Sequence, residues 1–220
     1  MNLFKRFVLT TLFFIPVTCC AMSFNEGEDY TRLPQSIRSN KLIEQVMAKD
    51  PNKVQVLFFF SYGCPACANF DPYFEKWIKT PEAKKVAIYH FPVSFESDWG
   101  MLARLYYVTQ NLSPKRDLDP EIFAAVHKER MDLSDPEVMK EFLVKQGYKS
   151  AAVDLAIKSY SVQEQAKHAD QVSEAYDVNR TPTIVINGPK ASFMLTPDKT
   201  GGDFEKFVAV IDYVLSTQHN

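Results

Sequence analysis

The stretch SYGCPACANF, Ser61–Phe70, places Cys64 and Cys67 two residues apart, with Pro65 and Ala66 between them. It follows an apolar run, VQVLFFF (Val54–Phe60), that is short and β-prone and predicts a buried strand. After it, Ala68, Phe70, Tyr73, Phe74, Trp77 and Ile78 recur at helical spacing. Gly63 permits a turn, and Pro65 suits the first turn of a helix, where its missing N–H costs little. The pair therefore sits at a strand-to-helix junction. Cys64 falls at the exposed helix start and Cys67 lies three residues on, on the same face.

The beginning of the chain bears on what this pair is for. MNLFKRFVLTTLFFIPVTCCAMS carries Lys5 and Arg6, then an apolar segment from Phe7 to Val17, then small residues. This is the pattern of a secretory signal peptide, residues 1–21, cut near Ala21. The apolar segment is short for a bilayer span, which takes about 20 residues. A retained N-terminal anchor and a lipoprotein acylated at Cys20 are the alternatives, and VTCC fits the latter poorly. In the preferred reading Cys19 and Cys20 leave with the signal, and the mature chain keeps only Cys64 and Cys67 of its four cysteines.

Of 220 residues about 199 remain, enough for one domain with a real core or a domain carrying an insertion. Loss of Lys5 and Arg6 takes the net charge from −2 to −4. No Lys/Arg cluster marks a nucleic-acid footprint, and the sequence shows no second membrane-length apolar run, no repeat and no low-complexity tract. An exported chain meets oxidising conditions, so three readings of C-x-x-C compete. A structural disulfide would close only a four-residue loop, where the chain-entropy model gives about 2 kcal/mol. A zinc site wants about four ligands with paired spacing; there is no second Cys pair, and His90, His127, His168 and His219 are scattered. The remaining reading is a redox-active dithiol. Its nucleophile must be a thiolate near neutral pH, a state that a helix N-terminus favours.

Pro72 falls inside the predicted helix, eight residues after Cys64, where it should produce a kink. At this point the chain resembles the thioredoxin superfamily. The rest sharpens the likeness. KKVAIYHFPV (Lys84–Val93) reads as a second strand. A helical stretch runs from about Asp98 to Tyr176, with breaks near NLSPKRDLDP, LSDPE and QGYKS. RTPTIVING supplies a strand over Thr183–Ile186, Asn187–Gly188 signals a hairpin into KASFML, and DFEKFVAVIDYVLST closes the chain as an amphipathic helix. This order resembles the DsbA family of exported thiol:disulfide oxidoreductases, from YTRLP (Tyr30–Pro34), which looks like that family's first strand, to the last helix. The implied class is α/β, a thioredoxin fold with an inserted helical domain. Residues 22–96 would form its first part, 97–176 the inserted domain and linking helix, and 177–220 the second part.

The resemblance implies a Cys64–Cys67 redox disulfide, with Cys64 as the reactive sulfur. It implies a cis bond at Thr181–Pro182 facing the cysteines, so that the Thr181 backbone binds an extended substrate peptide. Pro65 and Ala66 become the residues that tune the motif. It implies a periplasmic protein with no bound cofactor and no metal. It further implies reduced exported proteins as substrates, a DsbB-like membrane quinone reductase for reoxidation, and a monomer. Three departures stand out. Ala66 replaces a frequent His and its side chain cannot donate to the thiolate. Phe58 and Ile88 stand where the family often has a buried Glu and Lys. Thr181, where many members have Val, is familiar from disulfide isomerases. A reductase or isomerase is thus one alternative, and a peptide-binding chaperone with an inert disulfide is another. Phe58–Phe60 read as buried strand positions and His90 as a core or strand-end residue. Phe193 and Met194 either border a peptide groove or pack in the core.

Overall fold

The computed structural model describes residues 23–218. The signal segment, with Cys19 and Cys20, lies outside the described residues. Five strands form one sheet: β1 (Thr31–Arg32), β2 (Gln55–Phe60), β3 (Ala87–Pro92), β4 (Thr183–Asn187) and β5 (Ser192–Leu195), in the spatial order β1-β5-β4-β2-β3. β2 runs parallel to β3, with Phe58 opposite His90, and antiparallel to β4, with Phe58 opposite Ile184. β4–β5 and β5–β1 are antiparallel.

The alternation of a strand explains the three phenylalanines. Phe58 and Phe60 point to one face, where they meet α2 (Pro65–Trp77) and, beyond it, α8 (Phe204–Thr217) through Phe70, Phe74 and Phe207. Phe59 points to the other, with Leu57 and Val185, against α1 (Lys41–Met47) and α7 (Tyr160–Ala175). A central strand with both faces covered reads as a continuous apolar run, as this one does.

Between β3 and β4 lie α3 (Trp99–Asn111), α4 (Asp119–His127), α5 (Pro136–Lys145), α6 (Ser150–Ile157) and α7. The breaks expected in the helical stretch fall between them. At one, Asp135 accepts from the N–H groups of Glu137 and Val138, with Pro136 at the first helical position. The core of these helices is continuous with the α2 side of the sheet: Leu105, Ile122, Leu143 and Val153 belong to the same cluster as Phe60 and Phe70.

One boundary is corrected. The second strand begins at Ala87 rather than Lys84, because Lys84 and Lys85 close a 3-10 turn. The hairpin signalled at Asn187–Gly188 forms: β4 and β5 are antiparallel, Asn187 pairs with Ser192, and residues 188–191 make the loop. Pro189 lacks the N–H a ladder needs, and the Asn187 side chain is occupied, donating to the Tyr176 hydroxyl at 2.7 Å. The helix containing Pro72 runs unbroken from Pro65 to Trp77. Phe193 is a core residue, packed edge-on against Tyr30, whereas Met194 is half-buried.

Candidate active site

Cys64 is the N-cap of α2, with extended backbone (φ −86°, ψ 115°), and Pro65 is the first helical residue. The chain leaves β2 through a turn in which the Cys64 N–H donates to the Ser61 carbonyl at 3.1 Å and the Gly63 N–H to the Ser61 hydroxyl at 3.1 Å. The Cys64 sulfur accepts from the Cys67 N–H at 3.4 Å, one of the donors that a helix start leaves free. Both cysteines are free thiols. Cys67, inside the first turn, is fully buried. The expected exposure of Cys64 is corrected: only 6 % of its surface is accessible, because the 181–182 loop closes over it.

That loop comes from the far end of the chain. The Thr181–Pro182 bond is cis, and the Cys64 thiol donates to the Thr181 carbonyl at 3.4 Å. Thr183 steadies the approach by donating from its hydroxyl to the Arg180 carbonyl at 2.8 Å. The structure thus brings Cys64, Pro65, Ala66, Cys67, Thr181 and Pro182 together at one end of the sheet.

The two sulfurs titrate apart. The Cys64 pKa is lowered from 9.0 to about 6. The largest cause is the hydrogen bond from the Cys67 thiol; burial opposes it, and Thr181 and the backbone N–H groups of Cys67 and Ala66 add to it. Ala66 therefore does support the thiolate, through its backbone rather than its side chain. Cys67 moves up, chiefly through burial and then through the charge and hydrogen bond of Cys64 beside it. Hydrogen bonding to Thr181 lowers both sulfurs.

The place of a buried ion pair is apolar. Phe58 packs on Phe60, Phe70, Phe74 and His90. His90 is ringed by Phe58, Phe60, Phe74 and Tyr106, and burial lowers its pKa to about 4, so it is neutral.

Carboxylates stand nearby instead, and the sequence reading missed them. Asp71 on α2 is pushed up to about 7, first by burial and then by the charges of Glu75, Asp117 and Glu121. Asp119, at the start of α4, is also raised to about 7 by burial, a rise opposed by the hydrogen bond from the Tyr62 hydroxyl. The available signal was Tyr62 itself. A tyrosine in a buried turn needs a partner for its hydroxyl, and no partner is near it in sequence.

A family model described as Thioredoxin matches residues 43–212. The thiol:disulfide interchange protein DsbA of Bordetella pertussis is 36% identical over 165 residues, covering 75% of this chain and 77% of that protein. The chain belongs to the DsbA family of thiol:disulfide oxidoreductases. The DsbA of Azotobacter vinelandii is 30% identical over 195 residues, covering 88% of this chain and 84% of that protein. The crystal structure of Pseudomonas aeruginosa DsbA superposes with a TM-score of 0.72 at 24% identity, covering 89% and 95% of the two chains. That likeness extends the thioredoxin fold with its helical insertion across nearly the whole chain.

Proposed function

We propose that this oxidoreductase works in the periplasm as a dithiol oxidase that introduces disulfides into exported proteins. The observation that carries the reading is the depressed Cys64 pKa, about 6. A disulfide is a strong oxidant when its reduced form is stabilised, and here the reduced form is held by a helix-end thiolate and the neighbouring Cys67 thiol.

In the proposed reaction a substrate thiolate attacks the Cys64 sulfur of the disulfide. The Cys64–Cys67 bond breaks, Cys67 leaves as a thiolate and takes up a proton, and a mixed disulfide joins substrate to Cys64. A second substrate thiolate attacks the substrate sulfur of that bond and Cys64 leaves as a thiolate. Two electrons pass to the cysteine pair and the substrate gains one disulfide. The raised Cys67 pKa supports its role as the sulfur that is protonated once released. The substrate backbone lies along Thr181, whose carbonyl stands 3.4 Å from the Cys64 sulfur. A membrane quinone reductase of the DsbB kind restores the disulfide, and the protein acts as a monomer.

One feature favours a reductase or isomerase instead: a threonine, Thr181, precedes the cis-proline, as is familiar from disulfide isomerases. The equilibrium of the Cys64–Cys67 pair with glutathione separates the two. A potential well above that of glutaredoxins, about −200 to −230 mV, supports the oxidase. A potential near that of thioredoxin, about −270 mV, overturns it in favour of a reductase.

A further inference from the structure

One stripe of α4 is devoted to a single residue of the redox turn. Asp119, Phe123 and His127 recur every four residues and so share a face of the helix. All three meet Tyr62. The Tyr62 hydroxyl donates to the Asp119 carboxylate. Its ring stands edge-on to Phe123, centroids 5.1 Å apart. Its backbone carbonyl lies 2.8 Å from His127 Nε2. A carbonyl only accepts, so Nε2 carries the proton and donates. The Phe123 and His127 rings also stack, with an interplanar angle of 28°, which holds the imidazole in place.

Tyr62 is fully buried, two residues before Cys64. The turn satisfies the Gly63 and Cys64 N–H groups from Ser61, so the peptide between Tyr62 and Gly63 has its carbonyl turned away from the turn and toward α4. Two residues on, the same turn delivers Cys64, whose sulfur accepts from the Cys67 N–H at 3.4 Å. On the other side Trp99 of α3 closes against Gly63, where an added Cβ would overlap the indole.

We propose that α4 holds the redox turn in register through Tyr62, and that Asp119 and His127 are positioning residues for the Cys64–Cys67 chemistry. The inference rests on the family's thiol–disulfide exchange and not on its direction. The helical insertion is then part of what sets the reactivity of the thiolate.

The test compares His127→Ala, His127→Gln and Tyr62→Phe with Val153→Ala, a cavity in the insertion core on α6, where Val153 is fully buried. Each is assayed for the Cys64 pKa by thiolate absorbance, for the glutathione equilibrium and for denaturant stability. His127→Ala and Tyr62→Phe are expected to raise the Cys64 pKa by about half a unit and to shift the equilibrium about threefold against the reduced form, since half a unit is about a factor of three. His127→Gln, whose amide donates to the same carbonyl, is expected to restore both. Val153→Ala is expected to lose stability with both unchanged. If His127→Ala and Tyr62→Phe lose stability as Val153→Ala does while pKa and equilibrium stay at the wild-type values, the proposal is overturned. Should His127→Ala fail to fold, Tyr62→Phe, which keeps the ring and removes one hydroxyl, decides by the same readouts.

Discussion

Cys64 and Asp71 sit about two turns apart at α2, and both are nearly shut off from water, with 6 % and 7 % of their surfaces exposed. Yet the thiol is lowered from 9.0 to about 6 and the carboxyl is raised from 3.8 to about 7. Burial disfavours the charge at both positions. The difference lies in the donors. Cys64 caps the helix and collects a thiol proton and the free N–H groups of the first turn. Asp71 lies within the helix, where backbone N–H groups are already committed, and it faces Glu75, Asp117 and Glu121 with Lys79 as the opposing charge. At these two positions the sign of the shift follows the local supply of hydrogen-bond donors.

The comparison breaks most sharply at the sulfurs. Cys64→Ala should abolish thiol–disulfide exchange, whereas Cys67→Ala should keep a reactive thiolate and accumulate mixed disulfides with substrate. Alkylation of the reduced protein at neutral pH should label Cys64 first, and first labelling of Cys67 would reverse the assignment.

The next largest effect separates the two groups by pH. A folded pKa below the unfolded one contributes stability that is present above the unfolded value and lost as pH falls through the folded value. The dithiol form should therefore gain stability over the disulfide form from about pH 6 to about pH 9. The slope should approach about 1.4 kcal/mol per pH unit. Paired denaturant titrations of the two redox forms measure it; a flat difference would mean that Cys64 is not held as a thiolate.

Asp71 has the opposite sign. Its folded pKa is raised, so the native state holds the extra proton and stability falls as pH climbs from about 4 to about 7. Asp71→Asn should stabilise the protein at pH 8 by about 2 kcal/mol, the carboxyl cluster sharing the full effect, and leave it unchanged at about pH 3, below both pKa values. Equal stabilisation at both pH values would show that the effect is not proton-linked.

The smallest expected change sharpens the sulfur side. Thr181→Val keeps the shape of the side chain and removes its hydroxyl, so the Cys64 pKa should rise by about half a unit and the pair should become slightly less oxidising. Thiolate absorbance and the glutathione equilibrium check both halves, and a lower pKa in the variant would contradict the support Thr181 gives to Cys64.

The redox pair was legible because its geometry is local. A strand ending at Phe60, a glycine in the turn and Pro65 at the first helical position leave Cys64 little choice but the cap. The two faces of β2 were equally readable, since alternation is a property of the strand itself. The hairpin at Asn187–Gly188 was legible too, but its loop runs over residues 188–191, and the Asn187 side chain is held by Tyr176, just past the end of α7.

By itself the sequence determined which sulfur caps the helix, which residues line both faces of the central strand, and that a helical segment separates two halves of the sheet. These follow from interactions within a few residues, where spacing maps directly onto geometry. Tertiary structure alone decided that Asp119 and His127 meet Tyr62 across 57 and 65 residues. It alone brought Asp117 to the Asp71–Glu75 face of α2 and laid Thr181 over Cys64 from 117 residues away. Those contacts exist only when α4 and the 181–182 loop pack against α2, and a carboxylate or imidazole in a linear chain carries no mark of the neighbour that packing will bring to it.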